Sequence, residues 1–272
     1  MLRRTNEDKT GVLRIGMISD VHCGPSRNTH VGAKAIELLD RFVAEMNVHF
    51  KPDLVVDLGD RVLDVDRSQD TLNQKKVRSA FERLSCPVVH ILGNHDSINL
   101  SREENEDIFQ QSMEFRSFDL KGVHFVVLNT SDPPIDGVGG KVSRLQLEWF
   151  TSDLKANPGK SVILCHHALG YQDISSNVLF ESIEPLAYVE NRDEIWNVLK
   201  NRSGIAAVLH GHLHWNSREV VHGVPCFCVN SPVETWNTGG RVSGSYAEVV
   251  VSAGSGSVAF TAKSLFHGLI DC

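Results

Sequence analysis

The sequence predicts an α/β fold with a β-rich second half, so that α+β also describes it. Five short apolar runs bounded by turn residues are typical of buried strands; they cover residues 15–19, 54–58, 88–92, 162–165 and 205–209. Segments with helical periodicity separate the first three runs. Beyond residue 211, alternating or apolar runs predict antiparallel strands at 218–221, 224–229, 246–251 and 258–262.

Helices are predicted in four places. Residues 33–50 carry an apolar stripe at helical spacing, and residues 71–84 form the second helix. Capping-box signatures predict two further helix starts; they are Ser143 with Gln146, and Asn191 with Glu194. Residues 131–140, rich in glycine, proline and aspartate, are predicted to form a loop.

The composition is typical of one globular domain, residues 1–272. The chain is 41% hydrophobic and 22% charged, as expected for a layered α/β protein. Its net charge of −7 and the lack of a Lys/Arg cluster argue against a nucleic-acid partner, because a polyanion requires a basic surface. We expect a small-molecule partner. The sequence leaves open whether the protein forms a homo-oligomer.

The sequence also bears on location. No apolar run approaches the ~20 residues of a membrane span, and residues 1–9 lack the apolar core of a secretion signal. We therefore expect no membrane partner and a cytoplasmic protein. The six cysteines show no zinc-finger spacing and are predicted to be free thiols; they are Cys23, Cys86, Cys165, Cys226, Cys228 and Cys272.

A polar cluster follows each of the five predicted strands. The clusters are Asp20-Val21-His22, Gly59-Asp60, Gly93-Asn94-His95-Asp96, His166-His167 and Gly211-His212-Leu213-His214. Ligand sites in open α/β sheets assemble at the carboxyl ends of strands. Oxygen and imidazole donors without thiolates suit Mn²⁺, Fe, Zn²⁺ or Co²⁺. The sequence therefore predicts a metal site, and the number of ligands predicts two ions.

These five blocks, in this order, resemble the calcineurin-like metallophosphoesterase superfamily. The resemblance covers residues 20–214 and implies a four-layer αββα sandwich of two mixed β-sheets flanked by helices. It also implies two divalent ions, Mn, Fe or Zn. The implied ligands are Asp20, His22 and His214 for the first ion, Asn94, His166 and His212 for the second, and Asp60 as the bridge. His95 is the implied catalytic residue, which contacts the phosphate or protonates the leaving oxygen.

The orientation of His95 is left open by the sequence. Relatives often place an aspartate three residues after the bridging one, but position 63 is Leu63. Either a one-residue bulge brings Asp64 into that role, or another group holds His95. Further histidines are interpreted as ordinary core or surface residues; they are His30, His49, His90, His124, His210, His222 and His267.

Substrate-binding residues are expected in the loops beside the metals, at 97–105, 168–188 and 230–241. Our four candidates are Asn99, Arg102, His167 and Trp215. The protein serine/threonine phosphatases of the superfamily carry arginines at the positions of Asp64 and Leu92. Because those arginines bind a monoester dianion, their replacement argues against a protein phosphatase.

The resemblance is strongest to class III cyclic nucleotide phosphodiesterases and ADP-ribose/CDP-alcohol pyrophosphatases. It implies a dinuclear-metal-dependent phosphohydrolase in which a metal-activated hydroxide attacks phosphorus. The predicted substrate is a small, nucleotide-like phosphodiester, either a cyclic nucleotide or a glycerophosphodiester. Alternatives within the superfamily are a nucleotide pyrophosphatase and a phosphomonoesterase. An alternative of another class is a non-catalytic, metal-binding interaction scaffold.

Overall fold

The computed structural model describes residues 11–200 and 202–266, and the backbone of residues 268–269. Residues 1–9, for which no secretion signal was predicted, His267 and Cys272 lie outside the described residues. The five described cysteines are free thiols, as predicted. In the described part of the chain, no helix has both the length and the apolar character needed to cross a membrane.

Two six-stranded mixed sheets form the centre of the fold. The first has the order β14 (Gly268–Leu269), β13 (Val258–Ser264), β12 (Ser245–Ser252), β1 (Val12–Ile18), β2 (Leu54–Asp57), β3 (Val88–His90). The second has the order β10 (Ser217–Val221), β11 (Val224–Cys228), β9 (Ile205–His210), β8 (Lys160–Leu164), β5 (Val123–Val127), β4 (Arg116–Leu120). Strands β1, β2 and β3 run parallel, as do β5, β8, β9 and β11. A separate ladder pairs β6 (Ser131–Asp132) with β7 (Lys141–Val142).

Helices cover the outer face of each sheet. They are α1 (Ala35–Glu45), α2 (Arg67–Phe81), α3 (Arg102–Phe109), α4 (Arg144–Ala156) and α5 (Arg192–Leu199). A 3₁₀ turn, Gly32–Lys34, precedes α1, and a π-helical turn, Met46–Phe50, continues it. Further 3₁₀ turns lie at His95–Ser97 and Glu184–Ala187.

Side-chain alternation on the strands produces separate apolar layers. On β1, Leu13, Ile15 and Met17 face a cluster between the two sheets, whereas Ile18 packs on the side of α1 and α2. On the second sheet, Ile163 of β8 packs on the side of α4 and α5. The predicted four-layer αββα sandwich is therefore confirmed.

The two capping-box predictions, at Ser143 and Asn191, were right about where the helices begin and partly wrong about the capping hydrogen bonds. Ser143 caps α4 by accepting a hydrogen bond from the Gln146 amide, 3.3 Å away. The Gln146 side chain does not complete a capping box, because it binds both backbone groups of Asn129. Asn191 precedes α5 but makes no capping bond, since its side-chain amide binds both backbone groups of Val142.

The elements that were not predicted include the β4–β5 hairpin, helix α3 and the β6–β7 ladder, whose strand β6 occupies the start of the loop predicted for residues 131–140. The β4–β5 hairpin forms one edge of the second sheet. Helix α3 begins inside residues 97–105, which were interpreted as a substrate loop. Its capping box is complete, because Ser101 accepts from the Glu104 amide while the Glu104 carboxylate accepts from the Ser101 amide. The segment is consequently shorter and more rigid than a free loop.

Candidate metal centre

All seven predicted metal ligands come from loops that follow strands of the two sheets. Asp20 and His22 follow β1, Asp60 follows β2 and Asn94 follows β3. His166 follows β8, and His212 and His214 follow β9. Contacts across the two sheets gather these side chains into adjoining clusters. The sandwich thus brings distant parts of the sequence to one edge.

The backbone of this edge is unusual. Five of the seven candidate ligands have left-handed φ angles between 45° and 68°; they are Asp20, His22, Asp60, His212 and His214. Each non-glycine residue in this region costs of order 1–3 kcal/mol, so such residues persist where the surrounding structure enforces them. Here the sharp turns direct side chains from alternating chain positions into a common cluster.

Two motif glycines allow this close approach. A β-carbon at Gly93 would collide with the backbone nitrogen and carboxylate of Asp60. A β-carbon at Gly211 would collide with the hydroxyl of Ser19 and approach the carboxylate of Asp20. The glycines are therefore required because the loops pass directly against the carboxylates that they help to orient.

The first group of candidate ligands presents three electron pairs to one point. Nε2 of His22 lies 3.0 Å from Nε2 of His214, which lies 3.4 Å from Oδ1 of Asp20. The opposite ring nitrogens face acceptors, since Nδ1 of His22 lies 3.3 Å from the Val62 carbonyl and Nδ1 of His214 lies 2.9 Å from the Glu234 carboxylate. In the neutral rings that a metal requires, these contacts place the proton on Nδ1 and leave both Nε2 atoms as acceptors.

The Asp20 carboxylate supports the same interpretation. Its Oδ2 accepts a hydrogen bond from the His212 amide at 2.9 Å, but its Oδ1 is buried and has no hydrogen-bond partner among the described residues. A buried, unpaired acceptor is costly. Three acceptor atoms facing one another fit a cation, so this group is suited to hold a divalent metal ion.

A second group has the same character. Nε2 of His166 lies 3.1 Å from Oδ1 of Asn94 and 3.2 Å from Oδ2 of Asp60, while its Nδ1 donates to the Leu58 carbonyl at 2.8 Å. The ring of His212 lies 5.0 Å from that of His166. Its Nε2 donates to the Leu186 carbonyl at 3.2 Å, which leaves Nδ1 as the ligand atom.

Asp60 lies between the two groups. Its carboxylate clusters with Asp20 and His166, and separately with His22 and His95, and the ligand atoms within each cluster lie within 4.8 Å of one another. Asp60 therefore contacts members of both groups. This is the position of a bridging ligand in a two-metal site. The combined set of imidazole, carboxylate and amide donors suits Mn, Fe or Zn.

Neighbouring carboxylates raise the pKa of two candidate ligands, His214 and His166. Burial lowers the pKa of His214, but Asp20 and Glu234 outweigh burial and raise it to about 10. Burial likewise lowers the pKa of His166, yet Asp60 raises it to about 9. The same carboxylates that stabilise a proton on these rings would stabilise a metal cation in its place.

His95 is oriented by Asp64. Its Nδ1 lies 2.8 Å from Oδ1 of Asp64, and its backbone amide donates to Asp60 at 2.8 Å. Asp64 reaches this position from a left-handed turn with φ of 47°. Of the two alternatives left open by the sequence, the geometry supports Asp64. Burial lowers the pKa of His95, but Asp60 and Asp64 outweigh it and raise the pKa above its usual value.

Two residues at the site were missed by the sequence analysis. His30, interpreted as an ordinary histidine, stacks on His22 with ring centres 4.8 Å apart. Glu234 is fully buried and accepts from both His214 and His30. Neither residue belongs to a motif. Glu234 lies in the segment 230–241, which was considered only as a substrate-binding loop. The sequence therefore carried no direct signal for its contact with a metal ligand.

The four substrate-binding candidates occupy different surroundings. The side chain of Asn99 donates to Asp70, and Arg102 forms ion pairs with Glu103 and Glu114. His167 and Trp215 are closer to the centre. The His167 ring lies 4.4 Å from that of His212, and Trp215 directly follows His214 in sequence and packs against Trp236 with ring centres 6.4 Å apart. Their roles stay predictions.

Arg61, the neighbour of Asp60 in sequence, belongs to a buried ion-pair network. It is completely buried and pairs with Asp57 and Asp96, each at 2.9 Å. Asp96 also accepts from the amides of Asp60 and Gly93. This buried network therefore supports the loops that carry the ligands instead of facing the substrate.

A family model of calcineurin-like phosphoesterases matches residues 13–216. The chain belongs to the calcineurin-like phosphoesterase family. The match extends from β1 to just beyond His214, the last candidate ligand, and ends before β10. It confirms the resemblance drawn from the five sequence blocks. The family is one of phosphoester hydrolases.

Among curated relatives of this calcineurin-like phosphoesterase, two acting on different phosphate linkages stand out. A manganese-dependent ADP-ribose/CDP-alcohol diphosphatase from Arabidopsis thaliana is 25% identical over 228 residues, covering 66% of this chain and 70% of the relative. A cAMP/cGMP dual specificity phosphodiesterase from Mycobacterium tuberculosis is 26% identical over 243 residues, covering 82% and 71%.

Two solved structures share the fold. A dimetal phosphatase from Danio rerio superposes with a TM-score of 0.72 and 16% identity, covering 91% of this chain and 98% of that one. A purple acid phosphatase from yellow lupin gives a TM-score of 0.66 and 13% identity, covering 97% and 54%. At these identities the likeness establishes the fold alone.

Proposed function

We propose that this family member is a dinuclear-metal-dependent phosphodiesterase that acts on a small, nucleotide-like substrate. The observation that carries the proposal is the pair of converging acceptor groups on either side of Asp60. Asp20, with His22 and His214, would hold one ion, and Asn94, with His166 and His212, would hold the other. Such a pair of ions supplies an activated water nucleophile and neutralises charge on the phosphoryl oxygens.

The residues of the chain then divide the remaining work. His95 is held through Nδ1 by Asp64, so Nε2 is the ring atom available to donate a proton to the leaving oxygen. Its raised pKa favours the protonated ring that a general acid requires. The amide bond from His95 to Asp60 fixes the acid relative to the metal ligands.

A diester is favoured over a monoester by the arrangement of arginines. A monoester dianion requires more positive charge around its non-bridging oxygens than a diester monoanion. Arg61 is buried against Asp57 and Asp96, and Arg102 is engaged by Glu103 and Glu114. Both arginines are therefore neutralised by carboxylates. The cyclic nucleotide phosphodiesterase relative supports the same choice.

A second candidate is a nucleotide diphosphatase. The Arabidopsis relative carries that activity in its name, and one basic side chain lies beside the catalytic histidine. Arg27 donates to Oδ1 of Asp64 at 2.8 Å, next to His95, and its side chain is 48% exposed. Arg27 would bind a second phosphate on the leaving group.

The experiment is a substrate panel on protein reconstituted with Mn²⁺ or Zn²⁺. It compares 3′,5′-cyclic nucleotides, a glycerophosphodiester, ADP-ribose and a nucleoside monophosphate, with His95→Ala as the control. We expect the highest kcat/KM for a cyclic nucleotide or a glycerophosphodiester. A preference for ADP-ribose would select the diphosphatase, and no hydrolysis with any metal would favour the scaffold alternative.

A further inference from the structure

The Glu234 carboxylate receives four hydrogen bonds at the edge of the metal centre. Oε2 accepts from Nδ1 of His214 at 2.9 Å and from Nε2 of His30 at 3.0 Å. Oε1 accepts from the backbone amides of Thr235 at 2.7 Å and Trp236 at 3.1 Å. Both carboxylate oxygens of Glu234 are therefore fully paired with donors on neighbouring residues.

The backbone around Glu234 is fixed by the turn that carries His30. The Val31 amide donates to the Val233 carbonyl at 2.9 Å, and the Thr235 hydroxyl donates to the Thr29 carbonyl at 2.7 Å. His30 and Glu234 also form an antiparallel bridge. The carboxylate is thus anchored on both sides before any contact with His214 is considered.

Glu234 distinguishes His214 from the other histidine ligands. The non-ligating nitrogens of His22, His166 and His212 face the backbone carbonyls of Val62, Leu58 and Leu186. That of His214 faces a carboxylate. A carboxylate partner fixes the ring more firmly, makes the ligating nitrogen more basic and adds a negative charge near the cation.

We propose that Glu234 is a positioning residue that orients His214 and strengthens metal binding by the group of Asp20, His22 and His214. The inference rests on the metal-dependent function proposed above. It assigns no chemical step to Glu234, whose effect passes through His214. His30 donates to the same oxygen of Glu234, and its ring stacks on the ring of His22.

The test measures metal binding without substrate. Metal-free protein is titrated with Mn²⁺ by calorimetry in a His166→Ala background, which retains only the Asp20 group as a complete site. Glu234→Gln is then added. A glutamine must turn its NH₂ group either toward the two histidine N–H donors or toward the two backbone amides, so we expect Mn²⁺ affinity to fall by about 10–100-fold.

A control variant accompanies it. Glu248→Gln neutralises a glutamate that pairs with Lys263 on the neighbouring strand, and it should change the affinity by less than about twofold. Far-UV circular dichroism and thermal unfolding verify that each variant is folded.

The outcomes separate the two proposals. Unchanged Mn²⁺ affinity in folded Glu234→Gln protein would overturn the positioning role, as would an equal loss in Glu248→Gln. Absence of Mn²⁺ binding by the unmutated protein would instead overturn the proposed function. Should Glu234→Gln fail to fold, Glu234→Asp provides the second variant, because its shorter side chain keeps the charge and withdraws it from His214; the same loss of affinity is expected and its absence again overturns the role.

Discussion

Nδ1 of His95 lies 2.8 Å from Oδ1 of Asp64, and the same oxygen accepts from Arg27. Asp64 is four residues beyond the bridging Asp60. In relatives, the aspartate that orients the histidine often lies three residues beyond the bridging aspartate. The left-handed turn at Asp64 compensates for that difference in spacing. The chain consequently retains the carboxylate–imidazole pair with a shifted sequence position.

Replacing Asp64 should weaken catalysis without removing the metals. In Asp64→Asn the amide can still contact His95, but the charge that stabilises the protonated ring is lost, and the ring is less firmly placed. We expect kcat/KM to fall by up to about 100-fold, measured on a diester with metal content determined in parallel. Asp66→Asn is the control, since asparagine also caps α2. Loss of metal from Asp64→Asn would contradict this assignment.

His95→Ala should separate acid catalysis from metal binding. Removal of a general acid costs roughly 10²–10⁴ in kcat, whereas two ions per chain should remain bound because the ring is not among the proposed ligands. Steady-state kinetics and elemental analysis on the same sample test both parts. If the variant lost one equivalent of metal, His95 would be a ligand.

The buried Arg61 network should govern stability more than chemistry. Asp57→Asn leaves Arg61 with only one of its two carboxylate partners, and breaking a buried pair costs about 3 kcal/mol. The free energy of unfolding, measured by urea denaturation at pH 7, should fall by about this amount. Leu72→Ala, at an exposed position of α2, provides the comparison. A loss below about 1 kcal/mol would show that Asp96 alone compensates Arg61.

This contribution should also depend on pH in a defined direction. Burial raises the pKa of Asp57, but Arg61 and His90 outweigh it and lower the pKa below 3.8. A lowered folded-state pKa means that the stabilisation is complete above the unfolded pKa of about 4 and is lost as the pH falls through the folded value. The stability difference between wild type and Asp57→Asn should therefore narrow below pH 4. A constant difference down to pH 2 would contradict the charge-based account.

Diesters should be preferred to monoesters. With one metal and one pH, kcat/KM for bis-p-nitrophenyl phosphate should exceed that for p-nitrophenyl phosphate by at least about tenfold, or about 1.4 kcal/mol of transition-state discrimination. The reason is that Arg61 and Arg102 are both occupied by carboxylates. A monoester preference of similar size would mean that another cation, such as Arg27 beside His95, reaches the phosphate.

The sequence predicted much of the fold because its signals were local. The runs ending before Asp20, Asp60 and Asn94 had the length and turn boundaries of buried strands, and the structure places strands there. The cap at Asn191 was wrong, and the reciprocal bond at Ser143 was absent, because both partner side chains bind distant backbone groups instead. Such competition depends on tertiary contacts.

The candidate site shows the same division. The seven ligand candidates lie in short motifs at strand ends, so their convergence could be inferred from topology. His30 and Glu234 converge through the pairing of two irregular segments, which no local pattern encodes. The contact between His95 and Asp64 was one of two alternatives, because only the conformation of the turn could decide between them.

The most direct test of the dinuclear site is a metal titration with activity as the readout. Metal-free protein receives increasing Mn²⁺ while hydrolysis of bis-p-nitrophenyl phosphate is followed. We expect full activity only near two equivalents per chain, and Asp60→Asn should be the most damaging ligand change because it weakens both groups at once. Full activity at one equivalent, with no further binding, would contradict the two-metal account.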